Sequence, residues 1–198
     1  MCSRFEMNAP PGDLAKRFGL EVPSLVPNQE ELRPTDQALV IAPKMDARLF
    51  GWGLSVGWNS KPLINARAET LENKNTFRPL LENRCLVPAS AYFEWRKEDG
   101  NKLKNRIARK DKTLFAFAGL TDGNRFTIIT CAPAADIAHI HNRMPVILDA
   151  AFEARWAEPG LSFAEVKGLL VPCDNGVLET DEETPPPKSP GDQPDLFG

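Results

Sequence analysis

A chain of 198 residues with 42% hydrophobic and 26% charged residues has the length for one domain with a sizeable core and the balance of an ordinary globular protein. It holds no run near the ~18–20 apolar residues of a membrane span and no signal-peptide core at its start, so a cytoplasmic protein is expected. The net charge of −3 divides into −6 from Asp174 onward, where seven acids face Lys188 alone, and +3 over residues 1–173, so a mildly basic body carries an acidic tail.

The chain begins Met1-Cys2-Ser3-Arg4. A side chain as small as that of Cys2 lets methionine aminopeptidase expose it, which puts a free α-amine and a thiol on one residue. The amine titrates at about 7.7–8.0, so a useful fraction is unprotonated at neutral pH. Such an aminothiol condenses with an aldehyde to a Schiff base, and the thiol then closes a five-membered thiazolidine. Residues 13–18 predict a short amphipathic helix, and Gln37–Pro43 and Met45–Trp52 a strand pair. Gly51-Trp52-Gly53-Leu54 and Trp58-Asn59-Ser60-Lys61-Pro62 predict a loop with exposed aromatic faces, and residues 68–75 a helix. Arg84–Pro88 and Ala91–Arg96 predict strands interrupted at Pro88. Residues 96–112 hold eight basic residues around the turn signal Asp99-Gly100. Strands follow at 113–120, 125–131 and 144–148, and helices at 134–139, 150–156 and 162–169. Many short strands with few helices predict an α+β domain with a bent or barrel-like sheet. Residues 179–198, acidic and proline-rich, predict a disordered tail after a domain at 1–178.

Four separate stretches carry residues suited to chemistry. Glu94, within Ala91-Tyr92-Phe93-Glu94-Trp95, is either the solvent-facing member of an alternating strand or a desolvated acid with a raised pKa. His139 and His141 are the two histidines, and no nearby Cys or carboxylate completes a metal site around them. On extended chain their rings point to opposite faces, which leaves one as an acid/base beside Arg143. Asn65 and Arg67 alternate on one face, suiting either an orienting amide and a phosphate contact or simple loop capping. The cysteines Cys2, Cys85, Cys131 and Cys173 show no C-x-x-C pair or zinc spacing, so neither metal nor cofactor is expected.

Met1-Cys2-Ser3-Arg4-Phe5, Leu63-Ile64-Asn65-Ala66-Arg67-Ala68-Glu69-Thr70, Tyr92-Phe93-Glu94-Trp95 and His141-Asn142-Arg143-Met144-Pro145 stand in the order and spacing of the SRAP family. The chain resembles these abasic-site processing proteins from residue 1 to about 178. The resemblance implies a single SRAP-like domain with a mostly antiparallel, barrel-like sheet and flanking helices. It also implies a DNA-damage protein of the SOS response that binds single-stranded DNA and traps abasic sites through a thiazolidine at Cys2, with family-linked peptidase and lyase activities. By the same resemblance Asn65 orients the terminus and the sugar, Glu94 shuttles protons, and His141 assists at the sugar oxygen. Arg4, Arg67, Arg78 and Arg143 would contact phosphates and Trp58 would stack on a base. A monomer in the cytoplasm, nucleoid-associated when on DNA, is expected.

Departures from the family pattern are Ser3 where Gly is usual, Glu31 where Asn is expected to open Asn-x-x-Pro-Thr, Asn75 at an often basic place, and a reduced Val-Asn segment at 171–175. Two other functions share these features. An N-terminal nucleophile amidohydrolase also begins Met-Cys, but it needs an amino-acid-binding Arg/Asp set that is not evident. A non-catalytic single-strand-binding module would use the Arg and Trp residues alone. Finally, Gln193, Leu196 and Phe197 in Gln193-Pro194-Asp195-Leu196-Phe197 resemble the peptide by which bacterial proteins bind the sliding clamp, a candidate second partner.

Overall fold

In the computed structural model, which describes residues 2–21 and 29–183, the chain opens with β1 (Phe5–Met7), α1 (Pro11–Phe18) and β2 (Gln29–Leu32). Pro11 sits in the first turn of α1, where its missing N–H costs nothing, and Gly19 ends the helix in the left-handed region at φ 66°. Then come β3 (Gln37–Ala42), β4 (Asp46–Trp52), the hairpin β5 (Leu54–Val56) and β6 (Asn59–Leu63), and β7 (Asn65–Arg67). The strands β8 (Arg84–Ala89), β9 (Ala91–Glu98), β10 (Asn101–Arg109), β11 (Phe115–Thr121) and β12 (Arg125–Cys131) follow. The described chain closes with β13 (Met144–Pro145), α2 (Ala150–Ala157), α3 (Phe163–Val166) and β14 (Leu178–Glu183).

The larger sheet runs β11-β8-β3-β4-β12, and β12 pairs back onto β11, so five strands form a closed barrel. Closure leaves these five without a free edge. The β4–β12 contact is parallel and the other barrel pairs are antiparallel. Its aromatic core holds Trp52 stacked on Phe126 at 6.4 Å, with Phe5 entering edge-on against Trp52 at 5.0 Å and Phe117 at 5.8 Å. Beyond the barrel, β12 carries β7 in parallel, with Ile128 opposite Asn65, and β13 in antiparallel, with Cys131 opposite Met144. The second sheet is ordered β14-β10-β9-β1-β2 and is antiparallel throughout. The structure is thus the expected α+β domain with a mostly antiparallel, barrel-like sheet. Among the described residues no helix is long and apolar enough to cross a membrane.

Several local expectations are corrected. Pro88 does not interrupt its strand, because β3 pairs β8 at Ile41–Leu86 alone and the ladder makes no use there of the N–H that Pro88 lacks. Trp52 is buried in the barrel, its indole N–H donating to Ile64 O at 3.0 Å, while Trp58 stays 71% exposed at the β5–β6 turn. The helix expected over 68–75 is a single 3₁₀ turn, Ala68–Thr70, followed by a stretch with Asn73 and Asn75, and a second such turn comes only at Arg78–Leu80. The helix expected at 134–139 is likewise one turn, Ala135–Ile137, and that at 162–169 splits into α3 and a turn at Lys167–Leu169 around Gly168. Residues 179–183, expected in the tail, belong to β14 and pair with Lys104–Ala108, while Leu178 pairs with Arg109. Their acids meet the basic strand: Glu183 lies 2.9 Å from Lys104, Glu182 2.7 Å from Arg96, and Glu179 pairs with Lys112. The clamp-like residues 193–197 lie outside the described residues.

Candidate active site

The first residues continue β1 alongside β9. Phe5 stands opposite Tyr92, and Arg4 O accepts from Phe93 N at 3.0 Å, which lays Cys2-Ser3 beside Glu94-Trp95. Cys2 is fully buried, with its thiol 3.5 Å from Arg4 O. From the other side Asn65, held by β7 on β12, donates its amide to Cys2 O at 2.7 Å. Two residues 63 positions apart are thus joined by the bond that fixes the start of the chain. Asn65 Oδ1 is buried and has no hydrogen-bond partner among the described residues.

Glu94 is 2% exposed, and its carboxylate lies 3.9 Å from His141 Nε2. Burial pushes the Glu94 carboxyl above its ordinary pKa, and nearby positive charge, that of His141 included, offsets only part of this. The N–H of Arg143 donates to His141 Nδ1 at 3.0 Å. Arg143 O also lies 3.2 Å from Nδ1, so Nδ1 can either accept from the peptide N–H or donate to the carbonyl, while Nε2 faces Glu94. The Cys2 thiol is pushed well above the ordinary range, first by burial and then by the charge of Glu94. The thiol is therefore held protonated until a base in the same enclosure takes its proton. Ser3, Glu94, Trp95, Lys97, Lys102 and His141 line one cavity of 410 Å³. A larger cleft of 770 Å³ lies between α1 and Glu6, but Arg106 and Arg17 there are already tied to Glu6 at 2.8 Å and Glu153 at 2.7 Å.

Cys2, Asn65, Glu94 and His141 therefore converge, though they come from the segment before β1, from β7, from β9 and from the loop before β13. The cationic residues divide into two kinds. Arg67 and Arg78 are exposed and make no ion pair among the described residues, and Trp58 is exposed as well. Arg143 is turned inward: it grips Glu69 at 2.7 and 2.9 Å and donates to Thr130 O at 2.6 Å. Arg4 donates to Ser3 O at 2.7 Å and to Glu31 at 3.1 Å. A charge already held by Glu69 or Glu31 is less available to a phosphate than a solvated one. Reading by sequence placed Trp95 only within a motif, and Lys97 and Lys102 only within the basic run at 96–112, either an extension of a DNA groove or a solvated hairpin. It likewise placed Tyr92, whose hydroxyl is fully buried without a partner among the described residues, only within a motif.

The sequence profile of the SOS response associated peptidase (SRAP) family matches residues 1–182. The chain belongs to the SRAP family. Among its relatives are the abasic site processing proteins YoqW and YoaM of Bacillus subtilis, 34% and 33% identical, the first spanning 90% of both chains and the second 90% of this chain and 89% of its own. A crystal structure of a protein from Bacteroides thetaiotaomicron superposes with a TM-score of 0.80 at 30% identity, covering 91% of each chain. Within this SRAP domain Glu31 takes a part that the family's usual Asn would not. Its carboxylate bridges Arg4 and Lys104, the latter at 2.6 Å, and Lys104 in turn holds the Glu31 carboxyl below its usual range. Arg4, two residues from Cys2, and Lys104 on β10 are thereby neutralised from within the fold.

Proposed function

We propose that this SRAP-family protein binds single-stranded DNA and bonds covalently to abasic sites through Cys2, shielding the lesion. The observation that carries the reading is the enclosure of Cys2. Its carbonyl is fixed by Asn65, and its thiol is buried beside a carboxyl of raised pKa that faces a histidine across a cavity. The relatives' description as abasic site processing proteins agrees with it.

The chemistry begins once the Met1–Cys2 bond is cut. The Cys2 amine adds to the aldehyde carbon of the ring-opened sugar, giving a carbinolamine. Glu94, protonated, gives its proton to the carbinolamine hydroxyl, which leaves as water, and an iminium remains. The thiol sulfur then bonds to the iminium carbon while its proton passes to the Glu94 carboxylate. Aldehyde and aminothiol become thiazolidine and water, and Glu94 ends as it began. His141 serves the sugar oxygen in ring opening and closing, and Asn65 fixes the nucleophile's backbone. Exposed Trp58 offers a stacking face, while Arg67 and Arg78 offer solvated charge to the backbone phosphates.

Incubation with a single-stranded oligonucleotide carrying one abasic site, followed by a denaturing gel, tests this. A shifted band that survives denaturation is expected, and no band with the intact oligonucleotide. Hydrolysis of glutamine, or salt-sensitive binding with no stable band, would replace this reading with the amidohydrolase or the plain binding module.

Glu94→Gln should separate rate from stability. Loss of the proton carrier is expected to slow adduct formation about 10²-fold or more in a time course. Stability should move the other way. The folded pKa of Glu94 lies above the unfolded one, so below the ordinary carboxylate range its burial is harmless. As pH rises through the folded pKa, ionising the buried group removes stability. The variant's melting temperature should therefore match the wild type at pH 4 and exceed it increasingly toward pH 8.

A further inference from the structure

The hairpin β9–β10 carries most of the body's basic run, and nearly every charge on it is answered. Arg96 pairs with Glu98 and Glu182, Lys104 with Glu31 and Glu183, and Arg106 with Glu6. Arg109 pairs with Asp111, and Lys112 with Glu179. Lys110, just past the end of β10, makes no ion pair among the described residues, and neither do Lys97 and Lys102 at the turn end. The latter two stand directly opposite each other in the antiparallel register, both exposed. Like charges in directly opposed positions destabilise a strand pair. Among the described residues no acid pairs with either lysine, yet acids neutralise the cations on either side. Both lysines also line the 410 Å³ cavity with Ser3, Glu94 and His141.

We propose that Lys97 and Lys102 form an anion site in the cavity they share with Ser3, Glu94 and His141, built to hold one backbone phosphate of the single-stranded DNA that enters it. The proposal rests on the function argued above and adds the cations that seat the strand. A phosphate between the two ammonium groups converts their repulsion into two attractions. It also anchors the strand in the cavity that Glu94 and His141 line. Arg4 and Lys104, held by Glu31, and Arg143, held by Glu69, leave these two lysines as the solvated positive charges at this cavity.

The test is anisotropy with an unmodified single-stranded oligonucleotide over a salt series, beside the abasic adduct gel for the wild type. The K97Q/K102Q double variant is expected to bind on the order of tenfold more weakly at low salt, with a salt slope shallower by about 0.7, the share of one phosphate on a single strand. K97R/K102R should keep the slope, and Lys110→Gln, the loss of one charge just past the end of β10, should leave it unchanged. An unaltered slope in K97Q/K102Q, or an equal loss in Lys110→Gln, would overturn the site while a wild-type adduct leaves the abasic reading standing. Wild-type protein that neither binds nor forms the adduct would remove both.

Discussion

A Cys2→Ala protein is expected to form no adduct that survives denaturation, the largest functional effect foreseen for this chain. The α-amine remains after Met1 is removed, so the Schiff base still forms, but no sulfur is present to close the ring. The imine hydrolyses during denaturation unless borohydride reduces it first. Cys2→Ser should behave alike, because a hydroxyl is a poor nucleophile toward the imine carbon. Binding to single strands should change little, since the side chain is fully buried and offers a ligand no surface. Deleting one buried heavy atom costs about 1 kcal/mol, too little to unfold the domain. A Cys2→Ala protein that still gave the full stable band would rule out the thiazolidine.

The largest effect on stability is expected at Arg84, far from Cys2 in the chain. This arginine opens β8 and is 1% exposed. Its guanidinium donates to Trp156 O at 2.7 Å, Leu81 O at 3.1 Å, Glu158 O at 2.8 Å and Leu161 O at 2.5 Å, and it pairs with Glu82 at 2.7 Å. The end of α2 and the turn after it are thereby pinned to the barrel by one side chain. Arg84→Met keeps the approximate volume but strands these carbonyls without a donor. A loss of about 3–5 kcal/mol is expected, as for other broken buried ionic networks. At roughly 2–4 °C per kcal/mol for a domain of this size, the melting temperature should fall by about 10 °C. Arg84→Lys should recover little, since an ammonium cannot span five acceptors set around a planar fork. A loss below about 1 kcal/mol in denaturant titration would mean that water replaces the guanidinium.

What could be read in the sequence and what could not follow from how local each feature is. The strands at 37–42, 46–52, 115–121 and 125–131 were evident because alternation and turn residues act within a few positions. The four converging side chains were evident through the resemblance, not through spacing, since nothing within a stretch says that Asn65 reaches Cys2 O. Closure of the barrel by β11 and β12 was open, as was Pro88's place inside a strand, because both depend on which strand becomes the neighbour. The same holds for β14. An acidic segment with little to bury reads as a tail until β10 offers it a basic edge. Ion pairing was the least legible of all: Arg143 and Arg4 read as exposed cations, and only the fold brings Glu69 and Glu31 to them.

The double partnership of β12 has a consequence for how the protein adapts to a ligand. This strand is bonded to β7, which carries Asn65, and to β13, which follows His141, and it is itself a stave of the closed barrel. Neither attachment can swing without breaking hydrogen bonds inside the most protected part of the molecule, where opening approaches the cost of global unfolding. The enclosure around Cys2 is therefore a fixed die rather than a closing jaw. Under the proposed function, the bending and unstacking that bring a sugar to the thiol would fall to the nucleic acid, and a strand already kinked or interrupted would seat fastest.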